Sequence, residues 1–277
     1  MKSALAYLCS LWLMVPALAD GASAAEVPVD IARAIADPAR PPAQVELDQW
    51  RKPAEVIAFA GLKRGDRVAD FMSGGGYFTR LFSKIVGPEG RVYAFLPTQQ
   101  LKNCAPEETA GTKSLERDPH YENVRVLTDT SERFAAPEAL DMIWISQSYH
   151  DLHDKFMAPT DTALLNAALF RALKPGGVFI VIDHAGEHGS GLRDTETLHR
   201  IDPESIRSEV TAAGFVLEAR SDLLRNPADS HALLVFDPAI RHRTDQVILK
   251  FRKPATMHSA AATPPQPQKA KARGWPM

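Results

Sequence analysis

Cysteine is almost missing from this chain: Cys9 and Cys104 are the only two in 277 residues, which excludes a disulfide framework and a cysteine zinc site. An excess of one charge is missing too. With 32 Lys and Arg against 34 Asp and Glu, there is no electrostatic case for a nucleic-acid partner. Beyond the N-terminus no apolar run approaches the ~20 residues that a bilayer span requires. No internal repeat, no phosphate loop ending in Gly-Lys-Ser/Thr and no carboxylate-rich calcium loop is present.

What the ends contain is distinctive. Met1-Lys2 leads into an apolar stretch from Ala4 to Ala19, interrupted by Pro16 and followed by Asp20, with small residues at Ala17-Leu18-Ala19 and Ser23-Ala24-Ala25. This pattern predicts a cleavable secretory signal over residues 1–25, and with it a periplasmic or secreted location. Cleavage leaves no stable membrane insertion. Cys9 lies inside the apolar region without the small residues of a lipoprotein site before it. At the other end, Pro254 to Met277 consists largely of Pro, Ala, Lys, Gln and Thr, a composition that buries too little apolar surface to offset ordering, and is expected to be a flexible tail. Six basic residues and no acid fall in 246–277, leaving 26 basic against 34 acidic before them. An acidic body with a basic tail follows.

Between the ends, residues 26–61 read as an N-terminal helical extension. Asp30 is placed to cap a short helix through Ala36, Pro41-Pro42 to form a rigid link, and Pro53 and Gly61 to open and close another helix. From residue 62 to 253, short apolar strands alternate with helical patterns. Strands are expected at Arg67 to Met72, Arg91 to Leu96, Val124 to Thr128, Asp141 to Ser146, Val178 to Asp183, Val216 to Ser221 and Val247 to Phe251. Helices are expected at Tyr77 to Val86, Thr160 to Leu173 and Pro203 to Ala213, with a partly helical polar stretch before Pro119. The predicted fold class is α/β: a Rossmann-like, doubly wound, mostly parallel seven-stranded sheet with helices on both faces. The last strand has no full helix before it and is therefore expected to be antiparallel.

Asp70-Phe71-Met72-Ser73-Gly74-Gly75-Gly76-Tyr77 follows the first strand and opens a helix, where glycines let backbone N–H groups approach a ligand. Thr79 stands where a dinucleotide fingerprint would carry its third glycine. Asp70, Gly74 and Gly76, together with Leu173-Lys174-Pro175-Gly176-Gly177 before the fifth strand, resemble the class I S-adenosylmethionine-dependent methyltransferases. Asp129 and Asp141 fall where that family often has acids. Gly74 to Tyr77, Tyr149 to Leu152, Leu198 to Asp202 and Leu249 to Pro254 are similar to segments of a group of exported bacterial proteins of that family. Two departures stand out: Met72 replaces the leading glycine, and Phe95-Leu96-Pro97 lacks the acid that usually binds the ribose, leaving Gln99 or Gln100 as a neutral substitute.

The resemblance implies S-adenosylmethionine as cofactor and methyl transfer to a small molecule. It implies that Gly74, Gly75 and Gly76, with Ser73, hold the methionine portion, that Asp70 organises the turn and Asp129 receives the adenine amino group, and that Gln147 to His150 face the methyl. Imidazole titrates near neutrality, so His150 and His184 are the general-base candidates, oriented by Asp183 or Asp151. His150, Asp151, Asp183, His184 and His188 are metal-ligand types, but their spacing fits no metal motif, and no metal is expected. Arg193 and Arg200 are read as local ion pairs, and Trp50, Trp144, Phe78 and Phe82 as packing groups. Two rival readings remain: an exported, non-catalytic module that binds a nucleoside or other small ligand, and a metal-assisted hydrolase.

Overall fold

The computed structural model describes residues 27–157 and 160–255; the signal segment, and all of the tail beyond residue 255, lie outside them. Helices α1 (Val29–Ile35), α2 (Pro42–Val45), α3 (Asp48–Arg51) and α4 (Pro53–Ala60) precede the first strand. The sheet strands are β1 (Arg67–Phe71), β2 (Arg91–Phe95), β3 (Val124–Leu127), β4 (Leu140–Ser146), β5 (Leu173–His184), β6 (Val216–Ser221) and β7 (Gln246–Arg252). Between them lie α5 (Tyr77–Val86), α6 (Thr98–Asn103), α7 (Pro106–Leu115), α8 (Thr162–Ala172), α9 (Thr195–Leu198) and α10 (Pro203–Ala212). The strand order is β3-β2-β1-β4-β5-β7-β6. β7 runs antiparallel to both its neighbours, and the β1, β2, β3, β4 and β5 pairings are parallel.

Side-chain alternation along the strands divides the core in two. Ala69, Phe71, Ile143, Ile145, Phe179 and Phe251 face α8 and α10, whereas Val68, Met142, Trp144, Ile180 and Ile248 face α1, α4 and α5. Both faces are therefore apolar, and the strands read as near-continuous hydrophobic runs. Trp144 is packed between Phe78 and Phe82, as a packing group should be.

Three local expectations are corrected. Pro28, not Asp30, occupies the N-cap of α1, so Asp30 lies in the first turn, where a carboxylate favours the helix dipole without capping. Pro41-Pro42 is not merely a link: Pro42 opens α2, its fixed φ suiting a first helical position. The Leu173 to Gly177 turn is part of β5, entered through an irregular register between Leu140 and Met142.

Candidate functional site

Beyond the carboxyl ends of the parallel strands, where β1 and β4 diverge toward opposite halves of the sheet, lies a cavity of about 710 Å³. Open α/β sheets bind ligands at this switch point. Its walls include Asp70 near the end of β1, Met72, Ser73, Gly74 and Gly75 after it, Gln147, His150 and Asp151 after β4, and His184 at the end of β5. Gly76 is the N-cap of α5 behind that wall.

The turn after β1 is built to present its backbone. Gly74 and Gly76 adopt φ of +50° and +79°, the left-handed region that costs a side-chain-bearing residue strain. Met72, at the position of the missing glycine, is also left-handed at 56°, so the backbone still follows the course a glycine would give. The turn's carbonyls are taken: Thr112 Oγ1 donates to Gly74 O at 2.7 Å, while Gln44 Nε2 and Arg80 Nη1 donate to Gly75 O at 3.0 and 2.8 Å. Among the described residues the N–H groups of Gly74 and Gly75 have no protein acceptor, and the buried Ser73 hydroxyl is also unpaired. Asp70 is buried beneath the turn, accepting from Thr79 Oγ1 at 2.6 Å. Burial pushes its carboxyl up to about 7, against the Thr79 hydrogen bonds and the Arg51 charge. The hollow is not plugged: Phe95 stacks on Phe71 in the core, and Met72 forms wall.

Several wall residues escaped the sequence reading. Gln44, Leu47 and Arg51 reach the cavity from the N-terminal helices. Arg51 lies over the Tyr77 ring at 4.5 Å and donates to Gln147 Oε1 at 3.1 Å, with no ion-pair partner among the described residues. Of the two glutamines after β2, Gln99 is committed to Glu132 and the Ser131 N–H, both at 3.2 Å. Gln100 lines the cavity, and its buried Oε1 has no partner. Asp129 stands outside the walls: it accepts from the Thr130 N–H at 2.7 Å and pairs with Arg133. Asp141 sits at the other end of the sheet, holding Arg67 N and Lys174.

The structure brings His150, His184 and His199 together at the mouth, and His150 meets both Asp183 and Asp151. The Asp183 carboxylate, fully buried, accepts from the His150 N–H at 2.7 Å and lies 2.8 Å from His150 Nδ1. His150 Nε2 faces Asp151 Oδ1 at 3.1 Å and His199 Nδ1 at 3.2 Å. Burial alone would lower the His150 pKa, but Asp183 and Asp151 overcome it and hold the imidazole well above its ordinary value. Asp151, despite burial, is drawn down to about 2 by His150 and His199. His184 is held by Thr244 Oγ1 at 2.7 Å, and burial pushes it down to about 3. The two imidazoles are thus shifted in opposite directions, His150 upward by its carboxylates and His184 downward by burial. Asp183 orients His150 from behind and does not line the cavity.

The segment Leu198 to Asp202 folds over the mouth, bridging Ile201 to Ala185 and bringing His199 to the wall. Arg193 pairs locally with Asp194 and Glu187. Arg200 pairs not with its neighbour Asp202 but with Asp229, at 2.9 Å and wholly buried. His188 lines a separate hollow, so the set of metal-ligand types foreseen from sequence does not converge. A different set does: His150, Asp151, Asp154 and His199. Asp154 carried no sequence signal, and His199 was marked only as part of the Leu198 to Asp202 segment, because a 3-10 turn and a returning loop supply them.

No family model matches the chain. It is 28% identical over 204 residues to the ubiquinone/menaquinone biosynthesis C-methyltransferase UbiE of Marinomonas sp., covering 73% of this chain and 68% of that one. Over 128 residues it is 29% identical to the protein-L-isoaspartate O-methyltransferase of Ignicoccus hospitalis, covering 46% of this chain and 52% of that one. Among solved structures, a SAM-dependent methyltransferase from Aquifex aeolicus superposes with a TM-score of 0.52 at 18% identity, covering 77% of this chain and 94% of that one. The cyclase SpnF superposes equally, with a TM-score of 0.52 at 18% identity and coverage of 77% and 82%. With its strand order and antiparallel seventh strand, this chain has the Rossmann-like fold of the SAM-dependent methyltransferases.

Proposed function

We propose that this protein transfers a methyl group from S-adenosylmethionine to a small-molecule acceptor. The observation that carries the reading is the set of unsatisfied polar atoms that the cavity collects: the Gly74 and Gly75 amides, the Ser73 hydroxyl and the Gln100 amide oxygen. Buried polar groups are ordinarily paired, so the Ser73 hydroxyl and the Gln100 oxygen mark what a ligand completes, and the more open Gly74 and Gly75 amides are donors placed to join them. The free amides and the Arg51 guanidinium suit a carboxylate, and Gln100 suits a ribose hydroxyl in place of the acid that β2 lacks. The activities named for the similar proteins, carbon and oxygen methylation, support the reaction type.

The bound cofactor supplies an electrophilic methyl on a sulfonium. The chain's own residues then have three tasks: aligning the acceptor with that carbon, excluding water, and giving the acceptor a polar surface. Gln147 stands between the turn and the histidines, fixed by Arg51 and by Gln246 at 3.1 Å. His150, Asp151, His184 and His199 form the end that meets the acceptor. With the cofactor held by the turn, this end of the cavity would hold the acceptor's attacking atom in line with the methyl carbon and leave its proton a path to solvent.

Isothermal titration with S-adenosylhomocysteine tests the reading. Binding that vanishes in Gly75→Arg, whose side chain would enter the cavity, supports it; no heat at millimolar ligand removes it. The second reading, a non-catalytic nucleoside-binding module, is favoured by the neutral Gln100 and by a cyclase sharing the fold. Tight binding with no label transferred from methyl-labelled cofactor to any acceptor in a cell extract would select it. We also propose export, resting on the residues before Ala25; an uncleaved N-terminus in cytosolic fractions overturns that.

A further inference from the structure

We propose that His150, Asp151, Asp154 and His199 form a binding site for one divalent transition-metal ion of the zinc class at the acceptor end of the cavity. One potential ligand atom from each residue lies within 4.8 Å of all the others. Three of them are closer still. His150 Nε2 to Asp151 Oδ1 is 3.1 Å, His150 Nε2 to His199 Nδ1 is 3.2 Å, and His199 Nδ1 to Asp151 Oδ1 is 3.6 Å. Ligands about 2.0 to 2.1 Å from a tetrahedral zinc ion stand roughly 3.4 Å from one another. The triangle already has the size of one face of that tetrahedron.

Independent features point to a cation there. Asp154 is 3% exposed, and its Oδ1 has no hydrogen-bond partner among the described residues. A buried carboxylate oxygen left unpaired is costly unless something positive completes it. Asp151, Asp154 and Asp183 make no ion pair with any described lysine or arginine, so only imidazoles stand against three carboxylates. Asp183 engages His150 Nδ1 and leaves Nε2 facing the group, the carboxylate–histidine arrangement that orients metal ligands. His199 holds its ring there from a left-handed backbone, φ 53°. Such strain in a residue other than glycine persists where surrounding contacts impose it and clusters at functional sites.

Two nitrogen and two oxygen donors suit zinc or iron(II) rather than magnesium or calcium. His150, Asp151 and His199 line the cavity while Asp154 does not, so the ion has its protein ligands on one side and the acceptor space on the other. Its role, which rests on the methyl-transfer reading, is to take the hydroxyl oxygen of the acceptor as an added ligand. A hydroxyl so held would lose its proton to water more readily, and its oxygen would bond to the methyl carbon as that carbon's bond to sulfur breaks, the electron pair leaving with sulfur. This selects oxygen nucleophiles, above all acceptors with a second oxygen able to chelate.

The test uses untagged protein purified from expression of the full chain, stripped with chelator and titrated with cobalt(II) and zinc(II) chloride. One equivalent of cobalt with the intense visible absorption of a tetrahedral site, displaced by zinc, is expected. Asp154→Asn and His199→Ala should each weaken cobalt binding at least tenfold, and Asp183→Asn by about 10- to 100-fold. Circular dichroism of the stripped variants separates lost ligands from lost fold. No uptake by the wild-type chain, or stoichiometric uptake that survives both Asp154→Asn and His199→Ala, overturns the site. S-adenosylhomocysteine titration of the same samples is read separately: binding of the nucleoside without metal rejects only the ion, and metal without nucleoside rejects only the cofactor.

Discussion

Replacing Gly111 with alanine sets two effects of opposite sign against each other. Gly111 lies within α7, where alanine is favoured over glycine by about 1 kcal/mol. A Cβ built there, however, falls 2.5 Å from the Gly75 carbonyl oxygen and 3.2 Å from its carbon. Ordinary contact starts near 3.4 Å, so helix and turn must part by roughly 0.9 Å. The obstacle is backbone and cannot rotate away. Overpacking of this kind costs ~1–3 kcal/mol. Separation also stretches the hydrogen bond from Thr112 to Gly74 O, a further ~1 kcal/mol. The clash wins, leaving a net loss of about 2 kcal/mol and a Tm lower by roughly 4–8 °C for a domain of this size. Because the displaced carbonyl belongs to the turn whose amides face the cavity, affinity for S-adenosylhomocysteine should fall about tenfold, or ~1.4 kcal/mol. Thermal melts and calorimetry on the same variant measure both. Ala110→Gly, at an exposed neighbouring position of α7, calibrates the helix propensity. A Tm that rises in Gly111→Ala, with unchanged affinity, would show that α7 does not brace the turn.

Asp70→Asn should change how stability depends on pH. The folded-state pKa of about 7 lies above the unfolded value near 3.9, so the favourable protonated form is fully present at low pH and its contribution is lost as pH rises toward 7. The variant should therefore gain on wild type between pH 5 and pH 8, by a few kcal/mol at most, in denaturant titrations at the two values; parallel pH profiles would refute the assignment. Gln100→Leu should leave stability unchanged or slightly higher, because an unpaired buried amide is removed. Nucleoside affinity should fall about tenfold by calorimetry, and unaltered affinity would mean that Gln100 does not meet the ligand.

The strands and the glycine turn were legible because their signals are local. Apolar runs bounded by turn residues located β6 and α5 to the residue, and Gly74 and Gly76 declared themselves by chemistry only glycine readily offers. Met72 shows the limit of that reasoning. It marked a departure from the glycine pattern, yet the backbone is left-handed there all the same, and burial of the thioether chain offsets strain of ~1–3 kcal/mol. The phase of a short helix decided between Gln99 and Gln100, and tertiary packing alone sets that phase. Arg51 was hidden for a different reason: nothing in Gln-Trp-Arg-Lys tells that α3 docks against Gln147. Asp154 and His199 are 45 positions apart, joined only through the loops that close over β5.

The cavity borrows part of its wall from the chain's beginning, and this couples two events that could otherwise be separate. Gln44 is tied to Gly75, Arg51 to Gln147, and Lys52 to the Leu223 carbonyl at 2.8 Å. A molecule touching Gln44, Gly75, Arg51 and Gln147 gains those contacts only when the leading helices are in place, so its binding energy adds to whatever holds them down. Occupancy becomes a clasp: the ligand's arrival fastens the leading segment, and departure of product would be timed by how readily those few polar ties let go.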